Sequence, residues 1–215
     1  MMLAYASRTG TRRNLDALRE AGWRLMVSAR GVLRTEGFRY ALDNGAWTSF
    51  QRREPFHEAA FERALARLGS GADWIVVPDI VMGGPASLAF SRGWLDRLRR
   101  RRNLSGATFL IAVQNGMRPG DVRDLLGPGV GIFVGGDTRW KLATMPQWAH
   151  LAHARGAICH VGRVNSVRRI RLCAAAGVDS FDGSGVSRFA AALPPLDRAR
   201  RQGDVEGWLA RRIAQ

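Results

Sequence analysis

Eight short apolar runs, separated by amphipathic or small-residue segments, constrain this chain more than any other feature. They are Met2–Ala6, Leu25–Ser28, Arg39–Leu42, Trp74–Pro78, Thr108–Val113, Gly131–Val134, Ala157–Val161 and Val178–Phe181. Between most of them lie helix candidates, at Arg12–Ala21, Pro55–Leu68, Pro85–Arg101, Arg118–Leu126, Pro146–Ala154 and Ser166–Ala176. In the second of these, Ala60, Phe61, Ala64, Leu65 and Leu68 recur on one face while Glu58, Glu62 and Arg63 point outward. Asn165 and Ser166 offer an N-cap to the last, and Gly177 its stop. Only Ala29–Phe38 is too short and too rich in Gly and Arg for a helix. Such alternation is the pattern of a parallel α/β protein. Eight strands in 215 residues favour a compact (β/α)8 TIM-like barrel over an open doubly wound sheet. In either architecture a site belongs at the C-terminal ends of the strands. No repeat or low-complexity linker marks a boundary, so residues 1–215 read as one domain, with residues 190–215 supplying closing C-terminal helices.

No stretch approaches the roughly 18 to 20 apolar residues that span a bilayer. The N-terminal MMLAYASRTGTRR has its basic residues after a very short apolar run, the wrong order for a secretory signal. The chain therefore reads as soluble and cytoplasmic. Cys159 and Cys173 belong to no C-x-x-C pair or Cys/His cluster, so they read as reduced, buried thiols, and no zinc site can be written. The net charge of +15 comes almost wholly from arginine, Lys141 being the only lysine. Genome base composition can explain arginine in place of lysine but not the excess of positive charge, which favours a polyanionic partner.

Polar residues recur where the strands end. Asp43 follows strand three in LDNGAW, and Asp79 follows Pro78 in VPDIV. Gln114 and Asn115 follow strand five, and Gly135 and Gly136 follow strand six. Asp179 and Asp182 lie in GVDSFDGSGVSR, with Arg188 six positions after the second. Each taken singly reads as a turn or cap residue. Carboxylates at three strand ends, with amides and glycines between them, are an arrangement that stability alone does not require. A carboxylate and two amides can read the Watson–Crick edge of a guanine-like base, and a further carboxylate can attack a sugar carbon opposite the leaving base.

The order LDNGAW, PDIV, VQNG, VGG and GVDSFDGSGVSR resembles the tRNA-guanine transglycosylase superfamily over about residues 39 to 190. GGDTRWKLAT and HVGRVNSVRRIRLCAAAGVDSFDGS are closer to its branch that exchanges guanine in DNA for a 7-deazaguanine base. The resemblance implies Asp182 as nucleophile and Asp43 as general acid/base. It implies that Asp79, Asn115 and the Gly136 backbone hold the base, beside Gly135 and with Gln114 in support, and that Arg188 contacts a phosphate. Asp137 stands where the tRNA enzymes have Leu, and Lys141, expected near the base, where they have a base-sensing Glu. Their zinc-binding module has no counterpart, which favours DNA over tRNA.

The expected activity is therefore DNA-guanine transglycosylation with a free 7-deazaguanine such as 7-cyano-7-deazaguanine, with no cofactor, on a flipped or single-stranded target. The alternatives are a non-catalytic DNA-binding barrel, and a transglycosylase or N-glycoside hydrolase acting on tRNA or free nucleotides. Arg99, Arg100, Arg101 and Arg102 form the densest basic run, and Arg163 opens a second cluster before the last strand. Both are candidate phosphate contacts, against the reading of a solvated helix end that suits the macrodipole. Trp47 and Trp140, at strand exits, are candidate stacking surfaces against a core reading.

Overall fold

A computed structural model of the chain describes residues 1–7 and 11–202. Eight parallel strands close in chain order into one barrel: β1 Leu3–Ser7, β2 Arg24–Ser28, β3 Tyr40–Asp43, β4 Ile75–Val76, β5 Phe109–Val113, β6 Val130–Val134, β7 Cys159–Val161 and β8 Ser180–Gly183. β8 pairs back onto β1, with Tyr5 opposite Asp182. The helices lie outside: α1 Arg12–Glu20, α2 Ala46–Gln51, α3 Glu58–Leu68, α4 Gly84–Arg99, α5 Pro119–Val122, α6 Thr138–Ala154, α7 Val167–Ala175, α8 Gly185–Arg188 and α9 Leu193–Gln202. This is the (β/α)8 barrel expected from the alternation of apolar runs. No helix among the described residues is long and apolar enough to cross a membrane.

The period-two geometry of a strand sorts its side chains between two cores. Leu25, Val27, Leu42, Ile75, Ile111, Ile132, Val161 and Phe181 belong to the layer between sheet and helices. Tyr5, Ala41, Trp74, Val76 and Leu110 form a separate cluster, with Met26, Phe133 and Ile158 against it, that fills the barrel itself. Its lower end is closed by Asp73, which accepts from the Tyr5 hydroxyl at 3.0 Å and pairs with Arg24 and Arg39, each at 2.8 Å. A rigid floor of this kind leaves only the upper end open for chemistry.

The connections depart from expectation in three places. Strand three leads into a short helix, α2, that is absent from the helix candidates; the left-handed Gly45 (φ +82°) begins it. The helix expected to start at Pro146 starts at Thr138, because Asp137 caps it by accepting from Trp140 N–H at 2.9 Å, and Pro146 lies inside it. Burial of Met145, Trp148, Ala149 and Ala152 holds the helix together across the missing N–H. The helix expected at Arg118–Leu126 is one α-helical turn, α5, followed by a 3₁₀ turn at Arg123–Leu125. Ala29–Arg39 crosses from β2 to β3 without a helix, as its composition predicted. Of the closing helices expected over residues 190–215, α9 is present, and residues 203–215 lie outside the described residues.

Candidate active site

Asp182 and His160 stand one step from the ends of β8 and β7 and face the barrel interior. His160 is fully buried, its ring 5.0 Å from that of Phe133 and 4.5 Å from that of Trp74. Burial lowers its pKa although the Asp182 carboxylate opposes that shift, so the imidazole is neutral. Its Nε2 lies 3.1 Å from Asp182 Oδ1 and its Nδ1 2.8 Å from Ser180 Oγ. A carboxylate only accepts, which puts the proton on Nε2 and leaves Nδ1 to accept from the Ser180 hydroxyl. Oδ1 also accepts from the Arg163 N–H at 3.3 Å. Asp182 is thus held by one oxygen, while the described residues give Oδ2 no hydrogen-bond partner.

Asp43 ends β3 across the mouth, paired in register with Ser28. Its carboxyl is partly accessible at the floor of the mouth yet ringed by protein, and its pKa is pushed up to about 6. Burial is the main cause and the charge of Asp182 adds to it, while the Ser28 hydroxyl and the Gly45 N–H oppose it. Asp79 is likewise pushed up to about 6, by burial and by the charge of Asp43, against a hydrogen bond from Asn44. Asn44 donates to Asp79 Oδ1 and to the Val77 carbonyl, both at 2.8 Å, and fastens the β3 and β4 ends together. The three carboxyls line the mouth without meeting at one point. Among the described residues no three His, Cys, Asp or Glu groups lie close enough to share a metal ion.

Holding Asp43 ionised at neutral pH then costs the fold about 1–2 kcal/mol, after allowance for its partial exposure. The sign follows from a folded-state pKa above the unfolded one. Between about pH 4 and 6 the folded protein binds the extra proton, so Asp43 takes stability away as the pH rises through that window. Asp43→Asn is expected to be the more stable protein to urea at pH 7.5, with the advantage gone at pH 4; an equal or less stable variant at pH 7.5 contradicts the assignment.

The other predicted residues are placed less simply. Asn115 is locked to Asp137, donating to its Oδ2 at 2.5 Å and accepting from its N–H at 2.9 Å, so both ends of the amide are spent on the start of α6. Gln114 is buried, donating to the Ile80 carbonyl at 3.0 Å and to Ser87 Oγ at 2.8 Å, which shapes the loop after β4. The Gly135 N–H is used by the Val113 carbonyl at 2.8 Å, so it is not presented to a ligand. Gly136 is left-handed (φ +69°), and a side chain there would collide with Asn115 Oδ1 and the Trp140 ring. Trp140 packs against Trp148, leaving Trp47 as the exposed tryptophan of the mouth.

Lys141, expected near the base, is buried (3% exposed), and its ammonium donates to the Gly162 carbonyl. Burial and neighbouring Arg163 bring its pKa down to about 8, against the pull of Asp182, so it is a cation set in the wall behind that carboxylate. Arg188 ends α8, exposed on the rim. Arg99 to Arg102 do not join it. Every helix of a parallel barrel returns antiparallel to its strand, so the end of α4 and the turn after it lie at the far end, beside the start of β5. There Arg101 is paired with Glu62 at 2.6 Å, and Arg100 donates to the Asp96 carbonyl at 3.0 Å. Asp179 also lies at the lower end of its strand, accepting from the Cys159 N–H at 2.7 Å and paired with His153 at 3.0 Å.

Arg163 spans the mouth. Its backbone is left-handed (φ +60°), a conformation that costs a non-glycine residue about 1 kcal/mol and is met at functional sites. The guanidinium lies 4.4 Å over the Trp47 ring, on the opposite side of the barrel, and donates to the Gly136 carbonyl at 2.5 Å. An exposed cation–π contact is worth about 0.5–1 kcal/mol, so the strap is weakly held. Arg163→Ala is expected to raise the fraction of tryptophan fluorescence quenched by acrylamide, since among the other described tryptophans Trp140 is partly buried and Trp23, Trp74, Trp94 and Trp148 are buried. Unchanged quenching contradicts the strap.

His160, Ser180 and Asn44 were not foreseen from the sequence. A signal for the first two exists in it: Ser180 and Asp182 alternate with Phe181 and Gly183, and His160 has the matching parity on β7. Compared with known proteins, the chain matches no protein-family model, and no curated protein matches it significantly.

Proposed function

We propose that the protein is a nucleic-acid guanine transglycosylase acting on DNA by double displacement. In the first step an Asp182 oxygen attacks C1′ of a deoxyguanosine; the C1′–N9 bond breaks, its electron pair goes to the base, and Asp43 delivers a proton to the leaving guanine. In the second step a free 7-deazaguanine attacks C1′, Asp43 takes its N9 proton, and the Asp182 carboxylate is released. Two inversions give net retention. Asp79, on the β4 end beside Asp43, accepts from the N1–H and exocyclic amine of the base.

The observation that carries this reading is the unequal treatment of two facing carboxyls. Asp182 is oriented through one oxygen by His160 and the Arg163 N–H, with the other oxygen left for attack. Asp43 has its pKa raised to about 6, where a carboxyl can both give and take a proton near neutral pH. The net charge of +15 supports a polyanionic substrate over a free nucleotide. Incubation with labelled guanine and either DNA, tRNA or deoxyguanosine monophosphate tests it. Label in DNA that depends on Asp182 supports the reading; base release without incorporation identifies a hydrolase, and binding without either identifies a DNA-binding barrel.

A further inference from the structure

Among the described residues the exposed large hydrophobic side chains fall in two places. Met1 and Leu3 begin the chain; Val32, Trp47, Phe50, Ile80, Met82 and Phe189 all lie on connections leaving the C-terminal ends of strands. Five of these six follow β2, β3 and β4 in turn. Trp47 and Phe50 stack on each other, with ring centroids 5.6 Å apart and planes 29° from parallel, and Phe50 is the more exposed of the two because Arg163 lies over Trp47. Met82, 62% exposed, is held out on its turn by a left-handed backbone (φ +63°). Single exposed hydrophobics are ordinary, but their concentration on one rim is not.

The facing arc is cationic. Arg139, Arg163 and Arg188 follow β6, β7 and β8, and none forms an ion pair with a described carboxylate. Because the barrel closes in chain order, β2 to β4 face β6 to β8 across the mouth. The carboxyls therefore sit between a half-rim that holds most of the exposed apolar side chains, with Arg34, Arg52 and Arg53 exposed among them, and a half-rim lined by Arg139, Arg163 and Arg188.

We infer that this divided rim seats a single-stranded or unstacked stretch of DNA. Its phosphates run along the Arg139, Arg163 and Arg188 arc, the bases beside the target stack on Phe50 and on the Trp47 face that Arg163 uncovers when it turns to a phosphate, and Ile80 and Met82 keep them apart. A closed duplex offers phosphates but no base faces, and so uses only half of the surface. A protein partner or a second copy of the chain would cover the apolar arc and leave the cationic arc unused. The identity of the polymer rests on the transglycosylase reading; its unstacked form does not.

The test is fluorescence anisotropy with one labelled 12-nucleotide DNA, as a single strand and annealed to its complement, over a salt series. The single strand is expected to bind at least about 10-fold more tightly than the duplex. Phe50→Ala with Met82→Ser is expected to weaken single-strand binding by about 5-fold or more without changing its salt slope. Arg139→Gln with Arg188→Gln should instead reduce the slope by about 0.7 for each arginine. Equal or tighter duplex binding overturns the inference, as does an apolar double variant that binds the single strand unchanged, or a dimer in sedimentation that the variant abolishes and DNA does not. The oligonucleotide carries only adenine and thymine, so that every arm reads binding by unreacted protein. Strand preference without base exchange would remove the transglycosylase reading and leave the rim standing; exchange with no preference would do the reverse.

Discussion

Asp182→Asn is expected to lower base exchange by more than about 1,000-fold, an effect above 4 kcal/mol on the barrier, while DNA binding survives. The amide keeps the shape and can still accept from the His160 Nε2–H through its oxygen, so the interior that locks His160 between Phe133, Trp74 and Ser180 need not rearrange. What is lost is the anionic oxygen that, in the proposed mechanism, forms the bond to C1′. Asp179→Asn gives the contrast: it disturbs the His153 and Cys159 contacts at the lower end of the strand, and should weaken the protein without silencing it. Similar losses in the two variants would argue that Asp182 acts through stability.

The second large effect is on the pH dependence. In the proposed mechanism adduct formation requires Asp43 to carry a proton and Asp79 to be ionised, and both have pKa values pushed up to about 6. Above about pH 6 Asp43 loses its proton and the rate falls; below it Asp79 gains one and reading of the base fails. The rate constant for the first step should trace a bell centred near pH 6, with limbs belonging to the coupled carboxyls. Asp43→Asn is expected to cost about 100- to 10,000-fold and to flatten the alkaline limb. Asp79→Asn should flatten the acid limb and weaken guanine binding. A single-turnover pH series on the three proteins checks this, and an alkaline limb that persists in Asp43→Asn excludes that residue as the proton donor.

The barrel was legible because its strands are apolar runs of the right length and number, each buried wherever the chain folds as α/β. Register then carries Asp43, Asp79 and Asp182 to one end without further information. What the sequence hid were contacts that depend on which partner a polar group finds first. Asn115 at a strand end reads as a base contact, but Asp137, the cap that also extends α6 back past Pro146, takes both ends of its amide. Arg99 to Arg102 read as a phosphate track until the return direction of α4 sets them at the closed end. Lys141 shows the same limit, since nothing in its neighbours along the chain foretells that it is buried behind Asp182.

The arrangement makes the mouth both strained and guarded. Two carboxyls held above their ordinary pKa and a left-handed Arg163 are costs that a barrel built only for stability would not carry. Beneath them the Tyr5, Trp74 and Phe133 interior fixes His160 and through it Asp182, so flexibility is confined to the rim. Arg163 is the part that must yield, for its guanidinium covers the approach between Trp47 and Gly136.

The central claim is that Asp182 forms a bond to C1′, and intact-protein mass spectrometry tests it most directly. Protein mixed with a single-stranded guanine-containing oligonucleotide, without added base, and quenched in acid at short times should yield a species equal to protein plus oligonucleotide minus one guanine. That species should be absent from Asp182→Asn and should be chased by added 7-deazaguanine into free protein and modified DNA. Labelled guanine entering DNA with no such adduct, or an adduct undiminished in Asp182→Asn, would contradict the account.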